Sequence, residues 1–354
     1  MLNASTVVYC PWHVATLGYQ WRSARKVTDS WSIGKGSEPV LVSSTFPNEM
    51  FGMRPKPVEY EPLDTSGLFQ ELAAVEPSPA GIQAFANRFG ALTHGRLFAP
   101  DANVGLRPTP NSNVRPSHFY DRPHSPEGKE ALTIMANWSA RGAVLGDSLA
   151  YWREEIRVLR ALISLWEALR TPANRTGIEK YAQLEWQDKK RTIKLIDAEG
   201  KLVAPVLRFD VPSSVKLTLA AAAERGLFQT LTKLTFNSSG VSLFPPGSRH
   251  SRKLAIVPKT LRDAIWLQFA LAVLDNKKYR ACEVCGKSFE VSPQVARTTR
   301  TLCSSACKQK AHRLRRDQAW KLAEEGLSAK QIAKRVGSQL STVENWLQEF
   351  KEKH

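Results

Sequence analysis

The sequence predicts an α+β protein of several domains: a mixed body of helices and hairpins, followed by two short C-terminal modules. Three observations carry that expectation. Apolar residues recur at helical spacing in separated stretches of the first 276 residues. Alternating segments flank turn residues between those stretches. Four of the five cysteines fall within one basic segment near the C-terminus.

The elements follow in order. Residues 1–62 have an irregular pattern with recurrent aromatics (Tyr9, Trp12, Tyr19, Trp21, Trp31), in which short strands have no fixed register. Residues 66–92 predict helix, because Leu68, Phe69 and Leu72, then Ile82, Phe85, Ala86 and Phe89, recur at three and four; Pro77 and Pro79 break the run. The six prolines of 99–128 predict a long loop without packed structure. Asp147 or Ser148 is placed to cap a long helix whose stripe is Trp152, Ile156, Leu159, Ile163, Trp166 and Leu169, ended by Pro172. Residues 191–209 predict a hairpin turning at Ala198-Glu199-Gly200. A second hairpin is expected from Leu231–Phe236 and Val241–Phe244 around Asn237–Gly240, and a helix from Thr260 to Leu274. The domain expectation is therefore a partly helical N-terminal region (1–130), an α+β body (131–276), a cysteine module (277–316) and a helical module (317–354).

Fifty Lys and Arg against thirty-three Asp and Glu leave a net charge of +17, which favours a polyanionic partner. No apolar run approaches the length of a membrane span, and the N-terminus has neither a basic nor an apolar leader region, so a cytoplasmic chain without a membrane partner is expected. The charge is concentrated. Lys277 to Arg316 holds eleven Lys or Arg and two acids, whereas 317–354 holds six of each sign.

That basic segment reads Cys282-Glu-Val-Cys285-Gly286, then, after a loop, Cys303-Ser-Ser-Ala-Cys307. Two close pairs of soft thiolates separated by a loop suit one tetrahedral zinc ion with a structural role, since four thiolates leave no open position for water. Gly286 permits the tight turn that aims local amides at sulfur. Disulfides are disfavoured in a reducing cytosol, and Cys10 reads as a lone thiol. Cys303, Cys307, Ala311 and Leu314 are expected to form one inward stripe of the following helix. Lys308, Lys310, Arg313, Arg315 and Arg316, with His312, cover the rest. A zinc tetrathiolate carries −2, so most of the local charge remains for nucleic-acid phosphate.

Beyond Ala319 the pattern predicts three short helices around Trp320, Ala323, Leu327, Ile332, Val336, Val343, Trp346 and Leu347. Gly326 closes the first and Ser328 caps the second, with Gly337 at the turn. The run Gly326-Leu327-Ser328, Ile332-Ala333, Val336-Gly337, Ser341-Thr342-Val343 and Trp346-Leu347 resembles the helix-turn-helix of resolvases and related regulators. The resemblance implies that the third helix enters a DNA major groove, with Gln339, Ser341, Thr342, Asn345 and Gln348 contacting bases or phosphates. Ser338 and Gln339 depart from the family pattern, and Glu344 and Glu349 add negative charge to that helix.

The cysteine motif resembles the treble-clef zinc fingers of bacterial CGNR-type proteins, a likeness covering about 140–316, in which the finger follows a larger domain proposed to act in stress-responsive transcription. The family's namesake tetrapeptide begins at its last cysteine; here those positions read Cys307-Lys308-Gln309-Lys310. The functional expectation is a zinc-containing DNA-binding regulator, not an enzyme, with residues 1–276 sensing a ligand or forming a homodimer. RNA binding is the second expectation, with few aromatics in 277–316 to stack on bases. A nuclease or toxin-like enzyme with a dispersed site is the third. The seven histidines show no metal or triad spacing, and Glu154 and Glu155, adjacent on a helix, point apart.

Overall fold

The computed structural model describes residues 7–8, 12–15, 17–28, 33–44, 58–93, 95–100, 125–139, 143–170, 177–187, 190–203, 207–209, 218–236, 240–243, 254–292 and 299–353. It mixes helices with small sheets, in two compact units, 1–276 and 277–354.

The first unit opens with β1 (Val7–Val8), β2 (Trp12–Val14), the long strands β3 (Tyr19–Val27) and β4 (Ile33–Ser43), and β5 (Val58–Tyr60). Helices α1 (Leu68–Ala74) and α2 (Pro79–Phe89) follow, then β6 (Arg96–Pro100), α3 (Pro126–Ser139), β7 (Val144–Ser148) and α4 (Leu149–Arg170). The rest is β8 (Ala182–Gln187), β9 (Lys190–Leu195), β10 (Leu207–Phe209), α5 (Leu219–Phe236), β11 (Gly240–Leu243), β12 (Leu254–Val257) and α6 (Leu261–Leu274).

Strands β3, β4, β7 and β6 close into a small antiparallel barrel. One face of the alternating strands gathers Ala24, Val40, Val42, Phe98 and Val144 into a buried cluster. Leu97, Ala99 and Leu145, on the other face, pack with Ala131, Ile134, Met135 and Trp138 of α3. Glycine makes the closure sterically feasible. A Cβ on Gly146 would run into the Leu41 carbonyl and come within 2.6 Å of Val40 Cγ1. Gly95 has φ +78°, and a Cβ there would lie 2.5 Å from the Gly146 nitrogen.

The barrel replaces the irregular region expected over 1–62. Its strands carry mixed polar and apolar residues, and β3 pairs with β6 from beyond two helices, so the pairing is invisible in a local window. The helices at 66–92 form as expected, separated around Pro77. β6 extends to Pro100 and α3 starts at Pro126, while 101–124 of the expected loop lie outside the described residues.

Helix α4 buries Trp152, Ile156, Leu159 and Trp166 of the expected stripe. Ser148 rather than Asp147 caps it, its hydroxyl accepting from the Tyr151 amide at 3.3 Å. Glu155 is buried and accepts from Arg262 Nε (2.7 Å) and Trp266 Nε1 (3.0 Å), whereas Glu154 is exposed beside Arg157. The two carboxylates do point apart. Phe269 of α6 stacks on Phe69 of α1 (5.2 Å between centroids) and meets Trp166 of α4 edge-on (5.7 Å), joining three helices in one core.

The first expected hairpin exists as β9 with its return strand β10, and β8 adds a strand on the other side of β9. The second is overturned. Leu231–Phe236 belongs to helix α5, and β11 pairs with β12 instead. Thr-rich residues 230–235 read as strand locally, but the alanine run at 220–223 starts a helix whose Ala222, Ala223, Leu227 and Leu231 share one buried face.

The second unit begins with the hairpin β13 (Tyr279–Ala281) and β14 (Ser288–Glu290). Helix α7 (Ser305–Glu324) then runs without a break across the 316/317 boundary drawn from the sequence. α8 (Ala329–Val336) and α9 (Leu340–Lys353) pack against its second half around Ala319, Leu322, Ile332, Val336, Val343 and Trp346. Gly337 takes φ +62° between α8 and α9, as the turn requires. Leu314 does not join the inward stripe: it is 54% exposed, because the core touches only the far half of α7 on another face.

Candidate metal centre

The hairpin of the second unit carries Cys282 and Cys285 in the loop between its strands. Between β13 and β14, the Cys282 amide donates to the Lys287 carbonyl (2.9 Å) and the Gly286 amide to the Cys282 carbonyl (2.8 Å). Gly286 sits at φ +71°, which a residue with a Cβ rarely adopts. The Glu283 amide reaches the Thr301 carbonyl at 3.2 Å, tying this loop to the segment entering α7. Ser304 caps α7, its hydroxyl accepting from the Cys307 amide at 3.2 Å, so Cys303 stands just outside the helix and Cys307 in its first turn.

These constraints bring Cys282, Cys285, Cys303 and Cys307 together, with all four sulfurs within 4.8 Å of one another. Cys303 Sγ lies 3.5 Å from both Cys285 Sγ and Cys307 Sγ. None of the four is in a disulfide. A metal ion fits this cluster: with metal–sulfur bonds of about 2.3 Å, a tetrahedral thiolate set has edges of about 3.8 Å. Cys282, Phe289 and Val291 form the buried floor, and Arg300 covers Phe289 with its guanidinium 5.3 Å from the ring centroid.

The thiols differ in acidity. Burial pushes Cys282 up, but amides of Cys303, Val284 and Cys285 aimed at its sulfur outweigh that and hold it at about 6. Burial, with the neighbouring Cys285 and Cys307, pushes Cys303 up to about 12. Clustered thiolates repel, and a bound cation is what lets all of them ionise together.

The other sequence-predicted site residues are spread over the same unit. Lys308, Lys310 and Arg313 are exposed on α7, and Arg315 and Arg316 are half-buried. Arg315 Nε donates to the Ala311 carbonyl (3.3 Å); Arg316 lies over the Trp320 ring (4.6 Å) with Asp317 and Glu349 nearby (3.6 and 3.9 Å). Arg316 thus links α7 to α9, whereas the Arg315 bond stays within its own helix. His312 meets Trp346 edge-on at 5.1 Å and is not part of the sulfur cluster. On α9, Ser341, Asn345 and Gln348 are exposed along one face and Thr342 is half-buried. Gln339 starts that helix, its carbonyl accepting from the Thr342 and Val343 amides (both 3.1 Å). Lys330, Lys334 and Arg335 add three exposed cations on the solvent face of α8, at the spacing an amphipathic helix gives such a face. Cys10 lies outside the described residues. Among the described residues no helix is long and apolar enough to cross a membrane.

No family model, no curated protein and no solved structure matches this chain.

Proposed function

We propose that the chain is a zinc-containing DNA-binding protein that regulates transcription. One zinc ion held by Cys282, Cys285, Cys303 and Cys307 organises a treble-clef-like finger, and α7 to α9 act as the helix-turn-helix. Four thiolates select a soft ion, and zinc takes such a set without redox chemistry. The observation that carries the reading is the sulfur cluster at the foot of α7, whose exposed Lys308, Lys310 and Arg313 follow directly after Cys307. These three supply sequence-independent phosphate contacts, while Ser341, Asn345 and Gln348 supply selectivity from α9. Arg315 and Arg316 contribute less, since Arg316 is engaged with Trp320 and acidic neighbours.

The test is duplex-DNA binding by the metal-loaded protein across a salt series. Each lost phosphate contact lowers the log–log slope by about 0.9. The triple variant K308Q/K310Q/R313Q is therefore expected to bind more weakly and lose up to about 2.7 from the slope, three contacts at that value each. Absence of binding at low salt removes the proposal. Displacement of duplex DNA by single-stranded RNA in preference to unlabelled duplex would transfer it to RNA.

A further inference from the structure

The first unit contains a cleft of about 600 Å³, a volume typical of small-molecule sites. One wall is α4, which places Arg153, Arg157, Arg160 and Ser164 along a single ridge. The turn from Asp197 to Lys201 and Tyr181 face it. Four cationic side chains and two carboxylates line the space, so it is net positive.

The cations are not equivalent. Arg157 forks onto Glu154, with Nε and Nη2 at 2.8 and 2.6 Å, and pairs through Nη1 with Asp197. Its charge is met twice over. Lys201 pairs with Glu199 at 2.7 Å. Arg153 and Arg160 are instead held by neutral main-chain carbonyls. Arg153 Nε donates to Pro77 (2.9 Å), and Arg160 Nε and Nη2 donate to Ala73 and Val75 (both 2.6 Å). A carbonyl orients a guanidinium without cancelling its charge, and each of these two retains further N–H donors. They are seven residues apart on α4, about 10.5 Å along the axis at 1.5 Å per residue. Two guanidiniums prepositioned on one helix face, two turns apart and both anchored on the 73–77 segment, suit a dianion with two phosphoryl groups better than one compact oxyanion.

We propose that this cleft binds a small molecule carrying a diphosphate group, whose two phosphoryl groups engage Arg153 and Arg160. The remainder of the ligand lies against Ile156, Ala161 and Tyr181, and the Asp197–Glu199 end accepts hydrogen bonds from its hydroxyl or amine groups. The site belongs to the first unit alone and is independent of the DNA reading.

The probe is inorganic pyrophosphate, titrated calorimetrically into the full metal-loaded chain, with inorganic phosphate and sulfate at matched ionic strength as comparators. Saturable one-to-one binding is expected, at least tenfold tighter for pyrophosphate than for phosphate. R153Q/R160Q should weaken it tenfold or more. R160K, which keeps charge without the planar fork, should fall between. Because Arg153 and Arg160 also brace the end of α1, Ser164→Asp provides a second variant that leaves those anchors intact; its added charge should abolish binding. K308Q/K310Q/R313Q should bind pyrophosphate as wild type does. The proposal is overturned if R153Q/R160Q or S164D binds pyrophosphate as wild type does, if binding is lost in the α7 triple variant, if phosphate binds equally well, or if no saturable binding occurs.

Discussion

Asp147 shows how placement, more than residue type, sets a charge. From the sequence it is a candidate helix cap; in the fold it is buried and accepts from the Thr93 amide (3.1 Å) and hydroxyl (2.5 Å). Burial dominates those bonds and holds its carboxyl above the ordinary 3.8. The folded value therefore exceeds the unfolded one, and the stability it contributes is complete below the unfolded value and is lost as pH rises through the folded one. Relative to Asp147→Asn, the wild-type chain should gain stability as pH falls from neutral toward 4. Urea midpoints of both proteins at several pH values check this, and a constant difference across the range would refute it. The same dependence on placement separates Lys308 and Lys310, left in solvent, from Arg316, folded onto Trp320.

At the scale of elements, strong local signals held and nonlocal ones did not. The α1–α2 break at Pro77, the α4 stripe, and α6 with its Thr260 cap follow from periodicity and capping that any window of the sequence contains. Strand β11 lacks the expected partner because residues 231–236 find better burial as helix. Strands β3 and β4 pair as sequence neighbours, but the barrel closes through β6 and β7 from distant segments, where glycine allows the close approach. Gly146→Ala, which drives a methyl into the Leu41 carbonyl and Val40, is expected to destabilise the first unit by about 1–3 kcal/mol or more. A lowered midpoint in denaturant measures it, whereas Gly36→Ala, with open space around its Cβ, serves as the neutral control.

For the whole molecule, the division at 276/277 gives metal removal a local consequence. The Cys282–Phe289–Val291 floor is too small to stabilise the hairpin alone, and structural zinc contributes about 10–16 kcal/mol of apparent binding free energy in small modules. Chelation, or Cys285→Ser, should remove stoichiometric metal and unfold the hairpin end of the second unit, leaving the thermal transition of the first unmoved. Elemental analysis with calorimetry reads both, and a metal-free protein with unchanged transitions would refute a structural role. The two close cysteine pairs, the basic segment and the three C-terminal helices are legible in the chain alone, because each is written in spacings of three to four residues that a helix turn or tight loop converts directly into proximity. The closure of the barrel, the fate of 231–236, which cleft arginines meet no carboxylate among the described residues, and the cleft between α4 and the Asp197–Lys201 turn become visible in the folded chain. Those depend on groups brought together from far along the chain, and burial energies at such meetings exceed the local preferences a sequence displays.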